Sequence, residues 1–177
     1  MKIILTGFMG SGKSTIAERL SNMLDIKNIE MDDLVLVKSE RKSINEIFEK
    51  DGEECFRKLE AKVAAELSNR EDVIVATGGG VGTNQDLLKV LGGVSIYLEV
   101  DFEEIEKRLK NDQNRPLFKD IKEAEKLYKE RKLLYKKNAD HIISTNGKSV
   151  DEIVQEIIKK LFFMCEGGRC GGCSGCH

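Results

Sequence analysis

The chain has 177 residues, of which 40% are hydrophobic and 34% charged, and its formal net charge is −2. That length fits one domain with a substantial core and room for a tail. The near-neutral balance provides no global field toward nucleic acid or a membrane surface, and no stretch approaches the ~18 apolar residues of a membrane span.

The first β-type run, Lys2–Thr6, leads into Gly7-Phe8-Met9-Gly10-Ser11-Gly12-Lys13-Ser14, a full match to G-x-x-x-x-G-K-[ST]. A strand before it and a helical pattern after it (Ile16, Leu20, Met23, Leu24) supply the context that this motif needs to bind phosphate. Glycines let the backbone wrap a polyphosphate, while loop N–H groups and the helix N-terminus present positive dipole ends. The expected phosphate-binding set is Gly10, Ser11, Gly12, Lys13, Ser14 and Thr15, with Lys13 reaching the β and γ phosphates and Ser14 ligating Mg²⁺. Gly7–Lys13 also interrupts the N-terminal apolar run, so no signal peptide is expected and the cytoplasm follows.

A second β-type run, Lys27–Met31, ends in the carboxylate cluster Glu30-Met31-Asp32-Asp33. Ile44, Ile47 and Phe48 predict a short helix, and Phe56, Leu59, Val63 and Leu67 a longer one that carries Arg57 and Glu60 one turn apart. Cys55, beside Phe56, reads as a small core residue. The run Asp72–Thr77 opens into Thr77-Gly78-Gly79-Gly80, where bare backbone can approach a second ligand. Val94–Val100 follows, then a helix marked by Phe102, Ile105 and Leu109 and bearing Arg108. Residues 110–122 are polar, hold Arg115 and the chain's single proline, Pro116, and read as a mobile loop, a lid between helices. Leu127 and Leu134 mark the next helix, which carries Arg131; His141–Thr145 is the fifth β-type run; Val150, Ile153, Val154, Ile157, Ile158 and Leu161 give the last helix. Strands alternating with helices predict a parallel sheet covered on both faces: an α/β, three-layer, doubly wound fold with five strands. Ligands in such folds sit beyond the carboxyl ends of the strands.

A phosphate cradle alone suits many nucleotide enzymes. The absence of Asn-Lys-x-Asp removes the usual guanine-selective element, and no Asp closes the third strand as in large ATPases. Arginines on separate elements suit an anionic acceptor and a phosphoryl group in transfer.

The chain resembles the shikimate kinases. The resemblance rests on Gly-Phe-Met-Gly-Ser-Gly-Lys-Ser-Thr, on Asp32 nineteen residues after Lys13, on Asp-Gly-Glu-Glu-Cys-Phe-Arg, Thr-Gly-Gly-Gly, Asn-Arg-Pro-Leu and Glu-Arg-x-x-x-Tyr, and it covers residues 1 to about 162 in order. It implies a P-loop kinase fold and ATP-dependent phosphorylation of the 3-hydroxyl of shikimate. It further implies that Asp32 holds the shikimate hydroxyls and orients or deprotonates the attacking one. Arg57 and Arg131 would grip the carboxylate, Gly79 and Gly80 would offer N–H groups, and Arg115 would close over the phosphates. Arg108 and Asn146 would belong to the nucleotide side, Asn146 lying where related kinases pass the adenine ring. ATP and shikimate are then the partners, with Mg²⁺ as cofactor, no nucleic acid and no membrane, and a monomer as the simplest state.

One departure stands out. The family's usual Asp-x-Asp after strand two is Glu30-Met31-Asp32 here. Counting from Lys13 puts Glu30 at the position expected to orient a Mg²⁺-bound water; counting back from Ser43-Ile44 would make Asp33 the substrate carboxylate. The first register keeps both acids and leaves the extra residue in a loop, where insertions are tolerated. Bland readings compete for the arginines: Arg57 could pair with Glu53 or Glu60 on a helix surface, and Arg108 and Arg131 stand among other charges. Glu60 reads as a partner that holds Arg57 in place. The rivals to the shikimate reading are another kinase of the same fold, acting on gluconate or a nucleoside monophosphate, and a non-catalytic nucleotide-binding regulator with a metal-sensing tail.

Residues 1–163 read as the kinase domain and 164–177 as a Gly/Cys-rich tail with Cys165, Cys170, Cys173 and Cys176. Such a tail could hold a soft metal such as Zn²⁺ or Cu(I), or have no essential role. Its Cys173–His177 end fits the C-x-x-C-H of haem attachment, but that chemistry needs export.

Overall fold

The structure is a computed structural model that describes residues 1–109 and 120–162. Its strands are β1 (Lys2–Thr6), β2 (Lys27–Glu30), β3 (Val73–Ala76), β4 (Val94–Glu99) and β5 (His141–Ser144). All pair in parallel in the order β2-β3-β1-β4-β5. Each expected run is found with its ends within a residue or so. The expected lid over 110–122 meets the described residues only at its far edge, where 121 and 122 are already helical; 110–119, with Arg115, and the tail lie outside them.

The helices are α1 (Lys13–Leu24), α2 (Met31–Ser39), α3 (Ile44–Lys50), α4 (Gly52–Ser68), α5 (Gln85–Leu91), α6 (Phe102–Leu109), α7 (Ile121–Asn138) and α8 (Val150–Phe162), with a short 3-10 turn at Val81–Thr83. Strand residues alternate between two cores, as the pleat requires. Ile3, Leu5, Ile74, Ile96 and Leu98 pack on Ile16 and Leu20 of α1 and Ile153 and Ile157 of α8. Ile4, Val73 and Val75 point the other way, onto Met31 and Val35 of α2, Phe56 and Val63 of α4, and Leu91 of α5. A third cluster joins Phe8, Tyr97, Val100, Phe102, Tyr128 and Tyr135 at the carboxyl edge of the sheet.

Two helices, α2 and α5, do not follow from the periodicity. The pattern implies a loop after the second strand; instead α2 starts at Met31 directly, with Asp32 and Asp33 in its first turn. Carboxylates there are favoured by the helix dipole, and Met31 and Val35, four apart, supply a buried stripe too short to show as a period. Helix α5 is started by Asn84, whose side chain accepts from the N–H groups of Asp86 and Leu87. Three expected core markers are corrected. Met23, Phe48 and Leu134 are exposed; on α7, Ala124, Tyr128 and Tyr135 form the inward face in place of Leu134. Cys55 is half-buried rather than a core residue.

Candidate active site

Every strand points its carboxyl end at one side of the sheet, and a crevice of about 1050 Å³ opens there. On one side lies the turn from β1 to α1. Gly12 caps α1 at φ 87°, a left-handed conformation that glycine adopts without strain, and lines the crevice. Gly10, Ser11, Ser14 and Thr15 line the same wall. The Lys13 ammonium folds back over the loop and donates to the Gly7 and Phe8 carbonyls at 2.8 and 3.0 Å. Arg108, reaching across from α6, donates to the Gly10 carbonyl at 3.1 Å and to Glu104 at the same distance. The Ser11 hydroxyl is buried and has no hydrogen-bond partner among the described residues.

Facing this wall are Asp32, Arg57, Gly79, Gly80 and Arg131, carried by α2, α4, the glycine turn and α7. Asp32 is half-buried and lines the crevice, whereas Asp33 is exposed and does not. Arg57 donates to Glu60 at 2.7 Å and to Glu53 at 3.2 Å. Burial works against the Arg57 charge, but these ion pairs outweigh it and raise its pKa. Glu60 is 2% exposed; burial pushes its pKa up, the Arg57 contact opposes this, and its second oxygen, Oε1, has no partner among the described residues. The Arg131 guanidinium sits over the Phe8 ring, 6.0 Å from its centroid, so α7 leans on the phosphate loop itself.

Glycines 78–80 are required by their neighbours. A Cβ at Gly78 would stand 2.6 Å from Asp32 Oδ1, one at Gly79 would stand 3.2 Å from Arg131 Nη1, and one at Gly80 would collide with Arg57 Nη1. The functional side chains therefore pack directly on bare backbone. Between the two walls stands Glu30, at the end of β2; burial raises its pKa first, the neighbouring Ser14 hydroxyl opposes this, and Asp33 and Asp32 add to the rise.

Among the described residues, Asn146 is the expected site residue that the crevice does not include. Its side chain accepts from the Asp101 N–H at 3.0 Å, pinning the turn after β5 to the one after β4, while Thr145 and Lys148 line the crevice there. Lys148, ion-paired with Glu156 at 2.6 Å, escaped the sequence reading, although it stands two residues past Asn146 in the same turn. Leu127, one helical turn before Arg131, also lines the wall.

A backbone cradle for polyphosphate, set against a subsite of two guanidinium groups and a carboxylate, defines a P-loop phosphotransferase for a small anionic acceptor. The family model for shikimate kinase matches residues 9–162. A shikimate kinase of Aquifex aeolicus is 40% identical over 175 residues, covering 97% of this chain and all of that protein. One from a Sulfurihydrogenibium species is 42% identical over 163 residues, 90% of this chain and 96% of the other. The solved structure of a shikimate kinase from Acinetobacter baumannii in complex with shikimate superimposes with a TM-score of 0.84 at 32% identity, over 95% of each chain. The chain belongs to the shikimate kinase family.

Proposed function

We propose that this crevice carries the family's reaction, transfer of the γ-phosphoryl group of ATP to the 3-hydroxyl of shikimate, and we assign its residues as follows. The observation that supports the assignment is the joint presence of Lys13, Asp32, Arg57, Gly79 and Arg131 around one crevice of about 1050 Å³. Gly10 to Thr15 hold the triphosphate through N–H groups. Lys13 exchanges the carbonyls of Gly7 and Phe8 for phosphate oxygens, so its charge is already aimed at the loop's mouth. Arg108 and Asn146 serve the nucleotide side, and Arg115 closes over the phosphates. Arg57 and Arg131 grip the carboxylate of shikimate, helped by the N–H groups of Gly79 and Gly80. Asp32 accepts a hydrogen bond from the attacking hydroxyl and takes its proton as the new P–O bond forms.

The reaction implies Mg²⁺, and the residues present fit it: the Ser14 hydroxyl and the Glu30 carboxylate line the same crevice and act on each other, and all-oxygen donors suit a hard cation. Ser14 would hold the ion directly and Glu30 through a water. Bound there, it would offset charge on the β and γ phosphates. Glu30 reaches one methylene further than aspartate, which suits a water-bridged contact.

A coupled ADP-release assay with shikimate, gluconate and nucleoside monophosphates tests the reading. Shikimate alone should stimulate ADP release; stimulation by another acceptor and not by shikimate would overturn it. We read the enzyme as a monomer, since the acceptor and donor residues come from one chain, and light scattering checks this. ATP as donor favours the cytoplasm. We read residues 1–163 as the catalytic domain and the cysteines of 164–177 as a candidate soft-metal ligand set, so a chain ending at 163 should keep full turnover while losing any stoichiometric zinc.

A further inference from the structure

Tyr135 is quoted in the Glu-Arg-x-x-x-Tyr pattern but has no part in the assignment above. It is fully buried, its ring stacked at 5.0 Å on Tyr97 and packed so closely on Gly82 that a Cβ there would stand 2.9 Å from its Cδ1. Such packing leaves the ring one orientation, and the hydroxyl is thereby fixed behind Gly79 and Arg131, which line the crevice. There it donates to the carbonyl oxygen of Gly79 and interacts with the Arg131 guanidinium. Gly79 lies against both side chains: a Cβ on it would stand 3.2 Å from Arg131 Nη1 and 3.8 Å from the Tyr135 hydroxyl.

We propose that Tyr135 is a positioning residue for acceptor binding, its hydroxyl locking the Arg131 guanidinium and the Gly79 carbonyl to each other so that the cation and the N–H groups of the glycine turn meet the substrate carboxylate as one unit. The inference rests on the reading of Arg131 as a carboxylate ligand. Guanidinium side chains carry much rotamer freedom, and losing it on binding weakens affinity; a clamp from below removes that loss in advance. The Phe8 ring gives the guanidinium a face to rest on but no directional partner. The Tyr135 hydroxyl supplies the direction. Burial raises its pKa to about 12, so the phenol remains a neutral donor at every working pH.

A neighbouring tyrosine provides the control. Tyr128, on the same helix, is also buried and donates to a carbonyl, that of Val100 at 2.7 Å. Replacing either by phenylalanine keeps the ring and removes one buried hydroxyl, so any merely structural effect should be shared.

The test measures initial rates for Tyr135→Phe, Tyr128→Phe and Arg131→Ala with shikimate and with its methyl ester, whose carboxylate is masked. For Tyr135→Phe the expected result is a rise of about tenfold in KM for shikimate, since a polar contact with a charged group is lost. The KM for ATP should stay unchanged, and the methyl ester should show no comparable penalty. Tyr128→Phe should match it in melting temperature and leave both KM values alone. Equal effects of the two phenylalanine variants, or equal effects of Tyr135→Phe on shikimate and its ester, would overturn the inference. If Arg131→Ala discriminates the two acceptors and Tyr135→Phe does not, only the role of Tyr135 falls. If Arg131→Ala does not discriminate them either, the carboxylate reading of Arg131 falls and takes the inference with it.

Discussion

The two walls of the crevice are built by different means. On the proposed assignment the donor wall centres on one continuous stretch, Met9–Thr15, that works mainly through backbone, with Arg108 reaching across to it. The acceptor wall is assembled from side chains on α2, α4 and α7, laid against three successive glycines. Backbone N–H groups recognise what all nucleoside triphosphates share; side chains brought from distant segments recognise one small molecule. Substitutions on the acceptor wall should therefore alter KM for shikimate and leave ATP alone, and each test below asks where that division fails.

Asp32→Asn should have the largest effect, lowering kcat by about 10³-fold, within the range for loss of a positioned proton acceptor. ATP affinity, measured by titration calorimetry, should hardly move. A loss of ATP binding would mean that Asp32 belongs to the donor wall.

Arg57→Ala should raise KM for shikimate by about a hundredfold, as expected when one member of a hydrogen-bonded charge pair at an interface is truncated. It should also strip Glu60 of its partner. A buried carboxylate with a raised folded-state pKa binds more protons folded than unfolded, so its presence favours folding at low pH and less so as pH rises through the folded value. Removing Arg57 widens that gap. The melting temperature of Arg57→Ala should thus rise when pH is lowered from 7 toward 5, and Glu60→Gln in that background should abolish the dependence.

Gly80→Ala sharpens the comparison. Its Cβ collides with the far end of the flexible Arg57 side chain, so the fold should tolerate it while the guanidinium moves. A KM for shikimate raised about tenfold with little change in melting temperature is expected, since small misplacements of a positioning group are costly. The smallest effect should come from Lys148→Ala at the far end of the crevice. Its pairing with Glu156 is partly exposed, and a change of about twofold, confined to KM for ATP, is expected.

The same contrast explains what could be read from the chain. The phosphate loop is contiguous, so its chemistry is visible in eight letters, and the five strands show as apolar runs bounded by turns. Helix α2 was not visible, because a nine-residue helix with two fully buried residues carries no sustained period. Arg57 and Glu60 sit one turn apart and suggest a pair from spacing alone, but that Glu60 is 2% exposed with one oxygen unpartnered depends on how α4 meets the glycine turn. The roles of Tyr135 and Lys148 were hidden for the same reason: a tyrosine in a helix and a lysine in a turn are ordinary until long-range packing aims them.

Helix α7 is fastened along its length: Tyr128 to the Val100 carbonyl, Lys132 and Lys136 to Glu99, Tyr135 to Gly79 and Asn138 to the Gly82 carbonyl. The two α7 residues that line the crevice, Leu127 and Arg131, make none of these bonds, although Arg131 also rests on the Phe8 ring. An engineer wishing to redirect this catalyst toward a different alcohol would thus find a ready-made cassette, two positions on one helical face that can be randomised together while the scaffold beneath them stays tied.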